Sequence, residues 1–176
     1  MYLLDTVAAS DLLNSESAWH EPARLFFDGC QAKNAKVYAS VVTLSEMRFG
    51  MELLPLRTPV LPHAAIDGIK TRIAWLEKSS LLDITKHVAH EHAALRAAYA
   101  NAIAPNLLQK AKLKSKPPEM WIDKLPASKL LITENDLWLA ATAIAHDLRL
   151  VTRDGDYKQL SIHLPRLKLQ KLGPLA

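Results

Sequence analysis

The chain has 176 residues, of which 49% are hydrophobic and 23% are charged, and these values are ordinary for one globular domain with a substantial core. Its formal net charge of +4 is compatible with a nucleic-acid partner but does not by itself indicate one. The single cysteine excludes an internal disulfide and fits a reducing compartment. No apolar run is long enough to cross a membrane, and Asp5 interrupts the apolar start with no basic run before it, so we expect a cytoplasmic protein without a membrane partner.

Short apolar runs alternate along the chain with longer helical patterns. A continuous apolar run such as residues 2–4 is typical of a strand buried on both faces of a parallel sheet. The predicted strands are residues 2–4, 37–39, 81–84, 150–152 and 164–172. The predicted helices are a segment through Leu12 and Leu13 and then residues 17–31, 43–54, 63–78, 85–102 and 133–148. Strands that alternate with helices indicate a single α/β domain over residues 1–176, with a mainly parallel central sheet flanked by helices.

Several of these elements carry specific boundary signals. Thr43-x-x-Glu46 has the form of a capping box, and Thr133 is a suitable cap for a helix that has Asp136 in its first turn. A polar turn, residues 153–156, follows the strand at 150–152, and leucine alternates with lysine in the last run, which predicts an edge strand. Residues 105–130 are rich in lysine and interrupted by prolines, so we expect an insertion there rather than one long helix.

Four acidic residues stand at equivalent positions in this pattern. Asp5 and Asp154 each end a strand, and Glu46 and Asp136 each lie in the first turn of a helix. If the strands are parallel neighbours, all four meet at the carboxyl edge of the sheet, where open α/β folds bind ligands. Clustered carboxylates repel one another, and Mg²⁺ or Mn²⁺, which prefers oxygen ligands, relieves that repulsion. Each acid alone is better explained as a helix cap or a loop residue than as a metal ligand, so the prediction depends on the four together.

The surrounding stretches carry a family resemblance. They are YLLDT at residues 2–6, VTLSEMRFG at 42–50, NDLWLAA at 135–141 and LVTRDGDY at 150–157. In this order they resemble the PIN domain, specifically the VapC-type toxin ribonucleases of toxin–antitoxin systems. The resemblance implies a three-layer PIN-like fold and a Mg²⁺- or Mn²⁺-dependent endoribonuclease. It also implies a homodimer that is silenced by a cognate antitoxin.

The resemblance also assigns individual residues. It assigns metal binding to Asp5, Glu46, Asp136 and Asp154. The candidates for supporting these acids or contacting the substrate are Thr6, Arg48, Arg153 and Asp156. Two departures stand out: Val7 follows Asp5-Thr6 where the family usually has asparagine, and the chain is longer than most such toxins, with the surplus around residues 105–130.

Other features have two explanations each. The lysines between residues 110 and 129 contact RNA phosphates or form a solvated loop, and Trp121 stacks on a base or anchors that loop to the core. Arg48 and Arg153 steady the scissile phosphate or pair with the neighbouring acids. His87, His90 and His92 match no zinc pattern, so we expect no metal there. No serine, histidine and acid combination and no glycine-rich phosphate loop is apparent.

The sequence therefore favours a metal-dependent endoribonuclease that acts as a toxin, with RNA as substrate and an antitoxin as partner. Another nuclease of the same fold, acting in RNA processing or on DNA, and a non-catalytic module that binds nucleic acid or protein remain as alternatives. The presence of all four acids argues against the non-catalytic module. The expected chemistry is in-line attack by a metal-activated water, which leaves a 5′-phosphate and a 3′-hydroxyl.

Overall fold

The protein is a parallel sheet with helices on both faces. The computed structural model describes residues 1–56, 58, 61–103 and 132–173. The strands are Tyr2–Leu4 (β1), Val37–Ser40 (β2), Leu81–Leu82 (β3), Arg149–Thr152 (β4) and Lys168–Lys171 (β5). The α-helices in this part of the chain are Thr6–Leu13 (α1), His20–Ala32 (α2), Val41–Glu52 (α3), His63–Lys78 (α4), Lys86–Ile103 (α5), Glu134–Ala145 (α6) and Gly155–His163 (α7). A short 3₁₀ helix, Leu54–Leu56, follows α3.

The strand order is β3-β2-β1-β4-β5, and every neighbouring pair is parallel. The first strand is central, so that Leu3 pairs with Tyr38 of β2 on one side and with Leu150 of β4 on the other. This register brings the carboxyl ends of β1, β2 and β4 together at one edge of the sheet. The predicted edge strand near the end of the chain is confirmed as β5.

Alternate strand residues build a hydrophobic core on each face of the sheet. Leu3 and Leu150 belong to a core formed with α3, α5, α6 and α7, and both are fully buried. Leu4 and Val151 belong to a second core formed with α1 and α2. Side chains on a strand point alternately to its two faces, so both faces of the central strands are apolar and both are covered. The predicted α/β class with helices on both faces of a parallel sheet is confirmed.

One predicted helix start is wrong, and one helix was not predicted. The strand β2 continues into α3 without a loop, so Ser40 is the cap, with its hydroxyl accepting a hydrogen bond from Val42 N at 3.2 Å. The predicted capping box at Thr43 therefore does not form, and Thr43 is buried inside the first turn of α3. The predicted polar turn after β4 is instead the start of α7, which is capped by Asp154.

Some expectations fall outside the residues that the structure describes. The predicted insertion at residues 105–130, with its lysines and Trp121, lies outside the described residues. Of the helices that are described, none is both long and apolar enough to cross a membrane.

Candidate active site

Asp5 is placed by the junction between β1 and α1. Its backbone N–H donates to Val151 O of β4 at 3.1 Å, which holds the carboxyl ends of the two central strands together. Its side chain caps α1 by accepting a hydrogen bond from Ala8 N at 2.6 Å, a role for which aspartate is well suited. The residue is only 2% exposed, so a carboxylate is held close to the core at the centre of the sheet edge.

Asp136 is fixed by the first turn of α6 and by one tyrosine. The predicted cap at Thr133 is confirmed as a full capping box, in which Asp136 Oδ2 accepts from Thr133 N at 2.9 Å and from Thr133 Oγ1 at 2.7 Å. Asp136 Oδ1 accepts from the hydroxyl of the buried Tyr157 at 2.9 Å. Each carboxylate oxygen offers about two acceptor sites, so these bonds leave one site on Oδ1 for another group.

Glu46 connects three helices. It lies in α3, and its Oε2 accepts from the Thr6 hydroxyl of α1. Its Oε1 accepts from the Asn135 side-chain amide of α6 at 3.0 Å. These bonds hold Glu46 between the helices that carry Asp5 and Asp136. Thr6 therefore hydrogen-bonds to one of the four acids, and its supporting role stays a prediction.

Asp154 caps α7, with Oδ1 accepting from Asp156 N at 2.9 Å. Thr152, the last residue of β4, links this acid to Asp5. The Thr152 hydroxyl accepts from Asp154 N at 2.9 Å and donates a hydrogen bond to the Asp5 side chain. Asp5 and Asp154 are thus held on the two sides of one buried hydroxyl.

The pKa shifts reveal mutual repulsion among these acids. The pKa of Asp5 is raised to about 6, first by burial and then by the charges of Asp136 and Asp154, against the opposing hydrogen bonds from Thr152 and Ala8. The pKa of Asp156 is raised first by burial and then by the charges of Asp154 and Asp136. The edge of the sheet is therefore a region of concentrated negative charge.

Tyr157 lies within the same field. Burial raises its pKa well above the usual value for tyrosine, and the charges of Asp136, Asp5 and Glu46 act in the same direction. The hydroxyl thus stays protonated and keeps donating to Asp136 throughout the ordinary pH range. The charges of three of the four predicted metal ligands therefore raise the pKa of a single tyrosine. This indicates that the structure brings these three acids together around it.

The two arginines near these acids are paired elsewhere. Arg48 binds Glu77 of α4. Arg153 Nε binds the buried Asp11 of α1 at 2.7 Å, and its guanidinium lies over the ring of Trp19, 5.4 Å from the ring centroid. Pairing with the site carboxylates is therefore wrong for both arginines, and their contact with a scissile phosphate stays a prediction. None of the ion pairs between described residues involves the four acids.

His92 belongs to the support of α6. Its ring stacks on Trp138 with centroids 3.6 Å apart and planes within 4° of parallel, and its Nε2 lies 3.1 Å from Glu134 Oε1. Burial and the neighbouring Arg96 lower the pKa of His92 to about 4, so it is neutral at pH 7. This contact between α5 and α6 fixes the helix whose first turn carries Asp136.

The donor set fits a hard divalent cation. These are four carboxylates to which no cationic side chain of the described residues is paired, one of them with a raised pKa, and Mg²⁺ or Mn²⁺ would neutralise them. Within the described ranges, no group of three His, Cys, Asp or Glu side chains is close enough to form a ready cage for a metal ion. Mg²⁺ usually keeps several waters and takes only one or two protein carboxylates, so a closed cage is not required for it.

Three residues of the site were missed by the sequence reasoning. Thr152, Asn135 and Tyr157 all lie within the stretches that carry the family resemblance, but no role was predicted for them. Tyr157 had one available signal, since its place in the first turn after Asp154 put a polar group on the inner face of a helix. Its partner Asp136 is distant in sequence, so the contact itself had no local signature.

Comparison with known proteins identifies relatives of this chain and solved structures with a similar fold. Ribonuclease VapC4 of Mycobacterium tuberculosis is 48% identical over 42 residues, which are 22% of this chain and 32% of that protein, so the match spans about a third of the relative. The solved structure of VapBC2 from Rickettsia felis, bound to a promoter DNA fragment, has a TM-score of 0.58 at 18% identity and covers 97% of both chains. VapBC-5 from Mycobacterium tuberculosis, of the VapBC family of toxin–antitoxin systems, has a TM-score of 0.57 at 18% identity over 98% of this chain and 97% of that one.

FitAcB from Neisseria gonorrhoeae has a TM-score of 0.56 at 22% identity, and the alignment covers 97% of each chain. Identities this low show a shared fold only. A family model described as the PIN domain matches residues 2–162, which is most of the chain. The chain therefore belongs to the PIN domain family.

Proposed function

We propose that this chain is a VapC-type toxin, an endoribonuclease that cuts RNA phosphodiester bonds with Mg²⁺ or Mn²⁺. The observation that carries the proposal is the set of four acids at the carboxyl edge of the sheet, which among the described residues are held by hydroxyls and amides rather than by cations. Asp5 is buried, and holding a buried carboxylate beside other acids without a partner is costly, so a site of this kind is best explained by a cation that completes it. The relative named as a ribonuclease supports the RNA substrate.

Each acid would have its own part in holding the cation. Asp5 and Asp136 would bind it directly, since both are fixed at the centre of the sheet edge by short hydrogen bonds. Glu46 and Asp154 would complete the shell or act through ordered waters. When bound, a divalent cation lowers the pKa of water and neutralises charge that develops on a phosphodiester.

The remaining residues position the acids. Tyr157 and Thr133 hold Asp136 from two sides, so that one acceptor site of Oδ1 stays available. Thr152 keeps Asp5 and Asp154 at a fixed separation. The expected products are a 5′-phosphate and a 3′-hydroxyl. A route through the RNA 2′-hydroxyl would need an acid–base pair of side chains, and His92 is buried on Trp138.

The proposed partner is a cognate antitoxin, and the proposed assembly is a homodimer. An antitoxin segment that places an arginine or lysine among the four acids would neutralise them and keep the cation out. The solved structure of a VapBC toxin–antitoxin family member with the same fold supports this partner. Growth arrest on expression, with rescue and co-purification by the product of a neighbouring small gene, is the expected result. Failure of both rescue and co-purification would contradict it.

The decisive assay compares Asp136→Asn with a matched variant, Asp147→Asn. Asp136 lies in the first turn of α6, and Asp147 lies just beyond the end of the same helix. The φ of Asp147 is +52°, a conformation in which asparagine is well tolerated. We expect RNA cleavage to fall by orders of magnitude in Asp136→Asn and in EDTA, and to be unchanged in Asp147→Asn. A 2′,3′-cyclic phosphate on the products, or full cleavage in EDTA, would overturn the proposed mechanism.

A further inference from the structure

A half-enclosed groove of about 330 Å³ lies beside the acids, on the side of β5. It is formed by the carboxyl ends of β4 and β5 and by the first turns of α7. The residues that line it and that matter here are Thr152, Asp154, Gly155, Lys158, Leu169 and Lys171. Its volume is at the lower end of the ~300–1,000 Å³ of ligand pockets, so it suits one small group rather than a folded partner.

The groove is continuous with the candidate active site. Asp154 is a wall of the groove and also one of the four acids. Thr152, which bonds to Asp5, is the register partner of Lys171 across the β4–β5 pair. No atom lies within 4 Å of the position that a Cβ would occupy on Gly155, so the backbone is open to an approaching ligand there. A chain bound at the acids can therefore pass directly into the groove.

Its charge is suited to an anion. Lys158 on α7 and Lys171 on β5 stand on different walls, and both are exposed. Neither of them forms an ion pair with another residue in the described part of the chain. Arg153 also lines the groove, but its guanidinium is held by Asp11. The opposing charge is Asp154, which the proposed cation would neutralise.

We propose that this groove binds the RNA nucleotide next to the scissile phosphate, with Lys158 and Lys171 contacting its phosphate and Leu169 packing under its sugar. The inference rests on the proposed function. Four carboxylates repel a polyanion, so the RNA needs fixed cations on either side of the cut to hold its backbone in place. Phosphate contacts set the register of a nucleic acid on a protein without reading its sequence.

The test measures the salt dependence of RNA binding by fluorescence anisotropy, with a labelled single-stranded RNA and an Asp136→Asn background that prevents cutting. The test variant is Lys158→Gln/Lys171→Gln. The matched control is Lys36→Gln/Lys78→Gln, which removes the same charge from two exposed lysines that form no ion pair with another described residue. Lys36 immediately precedes β2 and Lys78 ends α4 shortly before β3, so both control lysines lie at the opposite edge of the sheet. Thermal unfolding of each protein verifies folding.

We expect the test variant to bind RNA about tenfold more weakly at low salt. We also expect the slope of log affinity against log salt to fall in magnitude by about 0.7, the value for one phosphate contact to a single strand. The control should retain both the affinity and the slope. Equal losses in the two double variants, or no loss in either, would overturn the groove as a phosphate site. So would an Asp136→Asn protein that binds no RNA.

The experiments give different results when the groove proposal is wrong and when the proposed function is wrong. If the chain is not a ribonuclease, the protein with Asp136 intact will leave RNA uncut in Mg²⁺, whatever the two double variants do in binding. If only the groove is wrong, cleavage by that protein will be present and the two double variants will bind alike.

Discussion

Two buried aspartates at the two ends of α1 show how differently this chain treats a carboxylate. Asp11 is 5% exposed and lies 2.7 Å from Arg153 Nε and 2.6 Å from the Ser17 hydroxyl. Asp5 is 2% exposed, and its partners are the Ala8 N–H and the Thr152 hydroxyl, neither of which carries a charge. One charge is neutralised inside the protein, and the other is not.

The difference separates a structural acid from one that is held for a ligand. A buried carboxylate is stabilised by a cation and several hydrogen bonds. Without the cation, burial raises the pKa of the carboxyl group, as it does for Asp5. Arg153 is adjacent to Asp154 in sequence, yet its guanidinium points to Asp11. This guanidinium is thereby withheld from the acidic edge, and no ion pair between described residues involves the four acids, which leaves that edge available to a mobile cation.

The most direct test of this comparison replaces each aspartate with asparagine, which removes the charge and keeps the size of the side chain. Asp5→Asn should lower kcat/KM for RNA cleavage about a thousandfold, because removing a metal ligand forfeits on the order of 4 kcal/mol of transition-state stabilisation. Asp11→Asn should stay within about tenfold of the unsubstituted protein. Its cost should appear instead as about 1–3 kcal/mol of lost stability, since Arg153 loses its charged partner. Similar losses of cleavage in both variants would contradict the distinction.

The next effect is on stability as a function of pH in EDTA. The pKa of Asp5 rises from 3.8 to about 6 on folding, so between these pH values the folded state keeps a proton that the unfolded state has lost. The contribution of Asp5 to the free energy of unfolding should therefore fall as pH rises from about 4 to about 6, by up to about 3 kcal/mol. Urea denaturation at several pH values, taken as the difference from Asp5→Asn, measures it.

Asp11→Asn is the control for that measurement, because it retains Asp5 and should retain the same fall in stability with pH. A flat difference between the unsubstituted protein and Asp5→Asn across this range would contradict the raised pKa. A divalent cation added at pH 7 should restore much of the lost stability, because it binds the ionised form of the acid in the folded state.

A smaller effect is expected for the phenol that holds Asp136. Tyr157→Phe removes one hydrogen bond to Asp136 Oδ1 and leaves the buried ring in place. We expect about a tenfold loss of kcat/KM and about 1 kcal/mol of stability, the usual value of one hydrogen bond. Tyr2→Phe is the matched control, because Tyr2 packs on Phe26 with the other core. An unchanged kcat/KM in Tyr157→Phe would show that Asp136 needs no such support.

The smallest effect is expected at Asn135, whose side-chain amide donates to Glu46 Oε1. Asn135→Ala should reduce cleavage by a few-fold and change stability by no more than about 0.5 kcal/mol, because the residue is exposed. Asn135→Asp should reduce cleavage more than the alanine variant, since a second carboxylate would then face Glu46. Kinetics that rank the two variants in the opposite order would remove Asn135 from the site.

The predictable parts of the site are those set by local sequence. Asp5 follows a short apolar strand and Asp136 follows a threonine cap, and the structure places both as expected. The start of α3 was mispredicted because Ser40 and Thr43 are both suitable caps, and only the direct continuation of β2 into the helix selects Ser40. The arginine partners were beyond prediction, since Arg153 meets Asp11 and Arg48 meets Glu77 through tertiary packing.

The strand order also determines when the site can form during protein synthesis. The central strand β1 is made first, but Tyr2 finds its β4 partner only at Arg149, and Asp154 follows a few residues later. At a synthesis rate of ~5–20 residues per second, roughly 8 to 30 s separate the emergence of Asp5 from that of Asp154. Until then a nascent chain carries incomplete parts of the acidic edge. The four acids therefore cannot come together before almost the whole domain has been made and has folded.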